Sequence, residues 1–166
     1  MFHVGDYVIY ENSGVCKIEA IGLLDIQGMS KDKEYYTLRP EYIRGSTIFN
    51  PVGNEKVIMR PIISKEEALA LIDEMKTMEC LVITDERRRE IDYKEALHKC
   101  DCRELVKLIK TSYLRKQSRL KEGKKVAASD DRYFNLAEEQ LYGEMAVALG
   151  MNKEETKVFV HQKLEK

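Results

Sequence analysis

Four cysteines and three histidines are the residues of this 166-residue chain best suited to nucleophilic or metal chemistry. His98, Cys100 and Cys102 form a close cluster, and such a set binds zinc when further ligands complete a tetrahedron. The remaining histidines are His3 and His161, and neither Cys16 nor Cys80 belongs to a Cys-x-x-Cys pair. The spacing therefore favours a helix-to-helix junction with incidental thiols over a metal site. Cys16 with His3 would place a nucleophile beside a base in one hairpin, but no third group is evident to orient the pair. The chain also lacks a glycine-rich phosphate loop and a Gly-x-Ser-x-Gly turn. No catalytic residue, cofactor or metal is expected.

Charge points to binding. The net charge is only −1, yet residues 99–126 hold ten Lys/Arg against three Asp/Glu inside an otherwise acidic chain. A local excess of this kind suits phosphate contact, although charge runs commonly form solvated faces. At about 100° per residue, a helix over this segment places Leu105, Leu108, Ile109, Tyr113 and Leu120 on one side. Arg103, Lys107, Lys110 and Lys121 fall on the other, and Arg115, Lys116, Arg119, Lys124 and Lys125 extend the field beyond them. Arg87, Arg88 and Arg89 form a second basic cluster, at a helix start where cations oppose the helix dipole. Asp85, Glu86 and Glu90 are placed to neutralise it.

Two kinds of element must carry these residues. Through residue 63 the pattern is β. Val4, Tyr7, Ile9, Val15, Ile18 and Ile21 flank a Glu11-Asn12-Ser13-Gly14 turn, which predicts a hairpin. Lys33–Arg39, Ser46–Pro51 and Lys56–Arg60 complete five short strands, the content of a small, strongly bent barrel of the SH3 or Tudor kind. Its exposed edges are natural places for another protein's strand to add. From Ser64 the period becomes helical. Ser64 with Glu67 forms a capping box, a second helix runs from about Thr84-Asp85 to His98, and Asp101 with Glu104 caps a third reaching Lys121. Ser129-Asp130-Asp131 opens a fourth, with Phe134, Ala137, Leu141, Met145 and Ala148 on its inner face, and Asn152 with Glu155 caps a fifth. The expected fold is α+β, with a Tudor/SH3-like barrel over 1–63 and an all-α domain over 64–166. No run is long and apolar enough for a membrane span, and no signal peptide is evident, which suggests a cytoplasmic protein.

Several stretches then resemble one family, the CarD/CdnL transcription regulators of bacteria. Phe2 to Tyr10, Gly14 to Ile18, Glu34 to Leu38 and Asn50-Pro51-Val52 are similar to that family's polymerase-interacting domain, a Tudor-like barrel shared with the transcription-repair coupling factor. Arg60 to Ile63, Asp85 to Asp101, and the Asp131, Ala137-Glu138, Leu141 and Glu144 pattern resemble its helical domain. The resemblance implies a non-enzymatic, nucleoid-associated factor that binds the RNA polymerase β subunit. It places the contacts near Leu24 and Asp25 and on the Thr47-Ile48-Phe49 strand. It also implies that the helical domain contacts promoter DNA weakly, without sequence specificity, at the upstream bubble edge. Arg87, Arg88, Arg89, Lys121, Lys124 and Lys125 are the expected phosphate ligands.

Family members place a wedging tryptophan before the second helix, and this chain has no Trp. Leu81, Val82 or Ile83 occupies that neighbourhood, with Val82 and Ile83 as candidates for a smaller apolar wedge. The competing expectation is an interaction module without DNA contact, presenting Tyr7, Tyr10, Tyr35, Tyr36 or Tyr42 to a peptide.

Overall fold

Turn chemistry sets the first strands. Gly14, at φ +71°, ends a 3-10 turn over Glu11–Ser13 and lets the chain reverse between β1 (Tyr7–Tyr10) and β2 (Gly14–Leu23). A side chain in that conformation would be strained. β3 (Glu34–Pro40), β4 (Ile48–Pro51) and β5 (Met59–Pro61) complete an antiparallel sheet of order β4-β3-β2-β1-β5. The computed structural model describes residues 1–164. Residues 165 and 166, which end the expected helical domain, lie outside the described residues.

Alternation drives Val8, Cys16, Ile18, Tyr36 and Leu38 into the core of the sheet, joined by Phe2, Tyr10, Ile21, Ile48 and Met59. A register shift between Ile18 and Ala20 bends β2 against β3. The curl brings the two outer strands together, because the buried Asn50 side chain of β4 donates Nδ2–H to Met59 Sδ of β5 at 3.4 Å. This is the small, bent Tudor-like unit expected. Its last strand is displaced from the expected Lys56–Arg60 to Met59–Pro61. Asn54 explains the shift: its side chain accepts from Lys56 N–H at 3.0 Å and donates to Asn50 Oδ1 at 3.0 Å, so a side-chain-closed turn uses the residues that would have begun the strand.

The chain divides into two compact units, Met1–Ile62 and the helical remainder from Ile63. In the second, α1 (Lys65–Met75) starts on the reciprocal Ser64/Glu67 capping box. Asp85 caps a 3-10 turn (Glu86–Arg88) that leads into α2 (Arg89–His98). Asp101 accepts from the amides of Arg103 and Glu104 to start α3 (Cys102–Lys121). α4 (Ala128–Leu149) stops at Gly150, which is left-handed at φ +70°, and α5 (Lys153–Leu164) follows the Asn152/Glu155 box. Ala68, Leu71, Ile72, Tyr93, Leu105, Leu108, Ala137, Leu141 and Met145 form the helical core.

α4 begins differently from the sequence expectation. It has no side-chain cap, and Asp130, expected to help open the helix, is fully buried and accepts a hydrogen bond from Tyr93 Oη at 2.7 Å. Its inner face carries Tyr133 and Tyr142 with Ala137, Leu141 and Met145, while Phe134 and Ala148 are only half-buried. Among the described residues, no helix is long and apolar enough to cross a membrane.

Candidate functional site: a sheet edge and a basic helix end

β4 is an outer strand of the first sheet, and its residues alternate. Ile48 packs into the core and Asn50 is buried, so Phe49 between them faces away from the core, following the exposed Thr47. Of the sequence-predicted residues on this strand, Ile48 therefore contributes packing while Thr47 and Phe49 contribute surface. Leu24 and the exposed Asp25 lie just beyond β2, where Asp25 pairs with Lys31 at 3.2 Å. Tyr35 and Tyr36 are core residues, which removes them from any peptide-binding surface. Tyr7 lies under the Lys17 ammonium at 5.7 Å, and Tyr42 is exposed.

The thiols do structural work. Burial pushes the Cys16 thiol up to about 11, far from a thiolate nucleophile at neutral pH. Cys100, at φ +53°, turns the chain from α2 to α3 and is buried, as is Cys102, whose thiol donates to the buried Glu144 at 3.2 Å. The other Glu144 oxygen accepts Ile63 N–H at 2.9 Å. No group of three or more metal-binding side chains assembles among the described residues.

The three arginines separate. Arg87 and Arg88 are exposed, but Arg89 points inward with a side chain only 15% exposed. Arg89 grips both oxygens of Glu86, at 2.8 and 2.6 Å, and donates to Tyr93 Oη at 3.0 Å. Tyr93 in turn donates to Asp130, and Arg115 of α3 reaches Glu86 at 2.8 Å and approaches Asp130 Oδ2 at 4.0 Å. The hydrogen bonds to Arg89 outweigh the opposing desolvation and, with the Arg89 and Arg115 charges, hold the Glu86 carboxyl at about 2. Burial, then the Asp130 hydrogen bond, pushes the Tyr93 phenol up to about 12. Arg89 is thus a brace between helices, a correction to its reading as a phosphate ligand.

The wedge loop is also sorted by packing. Leu81 N–H donates to Thr111 Oγ1 at 2.9 Å, and Lys110 Nζ donates to Met78 O at 2.6 Å, tying the loop to α3. Leu81 and Ile83 pack against the core, whereas Val82 is 82% exposed. Ile83 is therefore withdrawn as a wedge. Val82 borders a cleft of about 280 Å³ in which Glu79, Asp92, Glu95 and Glu104 outnumber Lys99 and Lys107, an unfavourable approach for phosphate. The basic stripe is partly spent as well, since Arg103 pairs with Glu74 and Lys116 with Asp131 at 2.9 Å. Arg119 is drawn to the loop after its helix, donating to Lys125 O at 2.7 Å. Lys121, Lys124 and Lys125 remain exposed, with Lys124 3.2 Å from Glu122.

Comparison with known families decides the first unit. Residues 2–63 match the CarD-like/TRCF RID domain. The match is consistent with a CarD/CdnL-type RNA polymerase-interacting domain, and that domain family is a non-catalytic interaction family. No curated protein matches the chain significantly. The RID match covers the β4 edge and Leu24-Asp25, while Val82 and the basic residues, in the helical unit, lie beyond it.

The Glu86 fork has a testable pH signature. A carboxyl held below its ordinary value contributes stability that is fully present above the unfolded value, near 4.5, and is lost as pH falls through the folded value near 2. Urea midpoints measured from pH 5 to pH 2 should fall less steeply for Glu86→Gln than for the native chain. Parallel curves would show that the fork adds no stability.

Proposed function

We propose that this chain is a transcription regulator that binds the RNA polymerase β subunit through the outer edge of β4 in its RID unit. The carrying observation is the RID match over 2–63 on a sheet whose outer strand turns the half-buried Phe49 away from the core, just after the exposed Thr47. An unpaired strand edge offers backbone hydrogen bonds to an incoming strand, and the alternate outward side chains provide selectivity. Leu24 and Asp25 supply a second contact beyond β2. The helical unit then engages promoter DNA at the upstream bubble edge. Exposed Arg87, Arg88, Lys121, Lys124 and Lys125 meet phosphate, and Val82 serves as a small apolar wedge.

Phosphate contact fixes position without reading sequence, so this DNA binding is weak, salt-dependent and the same across promoters. Val82 covers less of an unstacked base step than indole would, which makes the protein a modest stabiliser of open complexes. A second reading, docking on polymerase without DNA contact, draws support from the acidic cleft beside Val82 and the internal pairing of Arg89, Arg103 and Lys116.

Two measurements test the proposal, and the second separates the two readings. Phe49→Glu places a charge on the outward face of the docking strand, and β binding by titration calorimetry should weaken at least about tenfold, since charge burial at an interface costs more than about 1.4 kcal/mol. Unchanged affinity in a folded variant would remove β4 as the docking edge. Changing Lys121, Lys124 and Lys125 together to Gln should flatten the slope of log affinity against log salt by about 2 to 3, close to one unit per lost phosphate contact. An unaltered slope would favour docking without DNA.

A further inference from the structure

The C-terminal half of α3 is only partly covered by its neighbours. Its buried residues all lie between Cys102 and Ser112, and none lies in 113–121. Tyr113 and Leu120, placed on the apolar side of a helical wheel, are instead 49% and 54% exposed, and Leu114 is 56% exposed. These side chains interleave with a dense positive field, because residues 113–125 carry six Lys/Arg and a single acid, Glu122.

Tyr113 is also braced. Its ring lies beside Phe134 of α4, with centroids 6.2 Å apart and planes inclined by 32°. The Phe134 ring in turn lies under the Lys116 ammonium at 4.4 Å, and Lys116 is tied to Asp131 at 2.9 Å. An aromatic ring fixed before binding loses little freedom when a partner stacks on it.

The chemistry of this helix end suits one partner class. Unpaired bases offer flat apolar faces at regular intervals, with a phosphate between each pair, and proteins meet such strands with aromatic rings set among Lys and Arg. A duplex keeps its base faces stacked inside, leaving Tyr113 nothing to cover. An acidic amphipathic helix needs its apolar anchors along one line. α3 offers only Tyr113 and Leu120 on such a line, two turns apart with the polar Gln117 between them, while Leu114 points about 100° away from Tyr113, an arrangement that suits a flexible strand bending over the helix end.

We propose that the exposed end of α3 binds single-stranded DNA, with Tyr113 stacking on an unpaired base and Lys121, Lys124 and Lys125 meeting the adjoining phosphates. This rests on the DNA-facing role proposed for the helical unit and specifies the form of DNA it selects.

The test uses the full chain with a fluorescent oligothymidylate of about 15 nucleotides and a duplex of equal length, at low salt. The single strand should bind more tightly than the duplex. Tyr113→Leu should weaken single-strand binding about 5- to 150-fold, the range for loss of one base–aromatic stack, and leave duplex binding unchanged. Tyr113→Phe, which keeps the ring, should retain native affinity, a rescue that simple loss of bulk would not produce. Equal affinity for both DNA forms, or native single-strand binding by Tyr113→Leu, overturns the inference while the DNA-facing reading stands. Absence of binding to either probe overturns both.

Discussion

A carboxylate with no solvent exposure, Asp130, sets much of the architecture of the helical unit. A buried charge is costly unless hydrogen bonds and opposite charge surround it. Here the Tyr93 hydroxyl binds one oxygen, and Arg115 stands 4.0 Å from the other. Tyr93 is oriented by Arg89, and Arg89 and Arg115 converge on Glu86. Four segments of chain are thereby fixed to one another: the turn before α2, α2 itself, α3 and α4. The arrangement draws Arg89 inward and leaves Arg87 and Arg88 on the outside of the same turn.

The RID unit follows a different constraint. A short sheet must bend to enclose a core, and the register shift in β2 with the Asn50–Met59 contact achieves that bend while leaving the outer side of β4 without a strand partner in its sheet. Such an edge invites uncontrolled pairing, and this one is only four residues long and ends in Pro51. Brevity limits accidental partners.

What could be read in the sequence was local. The hairpin turn at Gly14, the Ser64 and Asn152 boxes and the Asp101 cap each depend on residues a few positions apart, and all are present. The residues misread have positions set by distant neighbours. Asp130 looks like a helix-start acid until Tyr93 arrives from α2, and Arg89 looks like its two neighbours until Glu86 and Tyr93 claim it. Ile83 and Val82 differ in the loop only because one is turned toward the core. Tyr113 and Leu120 have the spacing of core residues, but a wheel does not show where a helix's cover ends. The polymerase-interacting unit was legible through its resemblance to a family, carried by residues spread across all of 2–63.

The proposed function divides the labour, with the β4 edge on polymerase and the helical unit on DNA. Hydrogen–deuterium exchange of the full chain tests it directly, with polymerase alone and then with a polymerase–promoter complex. Exchange should slow in residues 47–51 with polymerase alone, and in 113–125 only once the promoter is added. Unchanged exchange across β4 with polymerase bound, or slowing of 113–125 by polymerase without DNA, would contradict it.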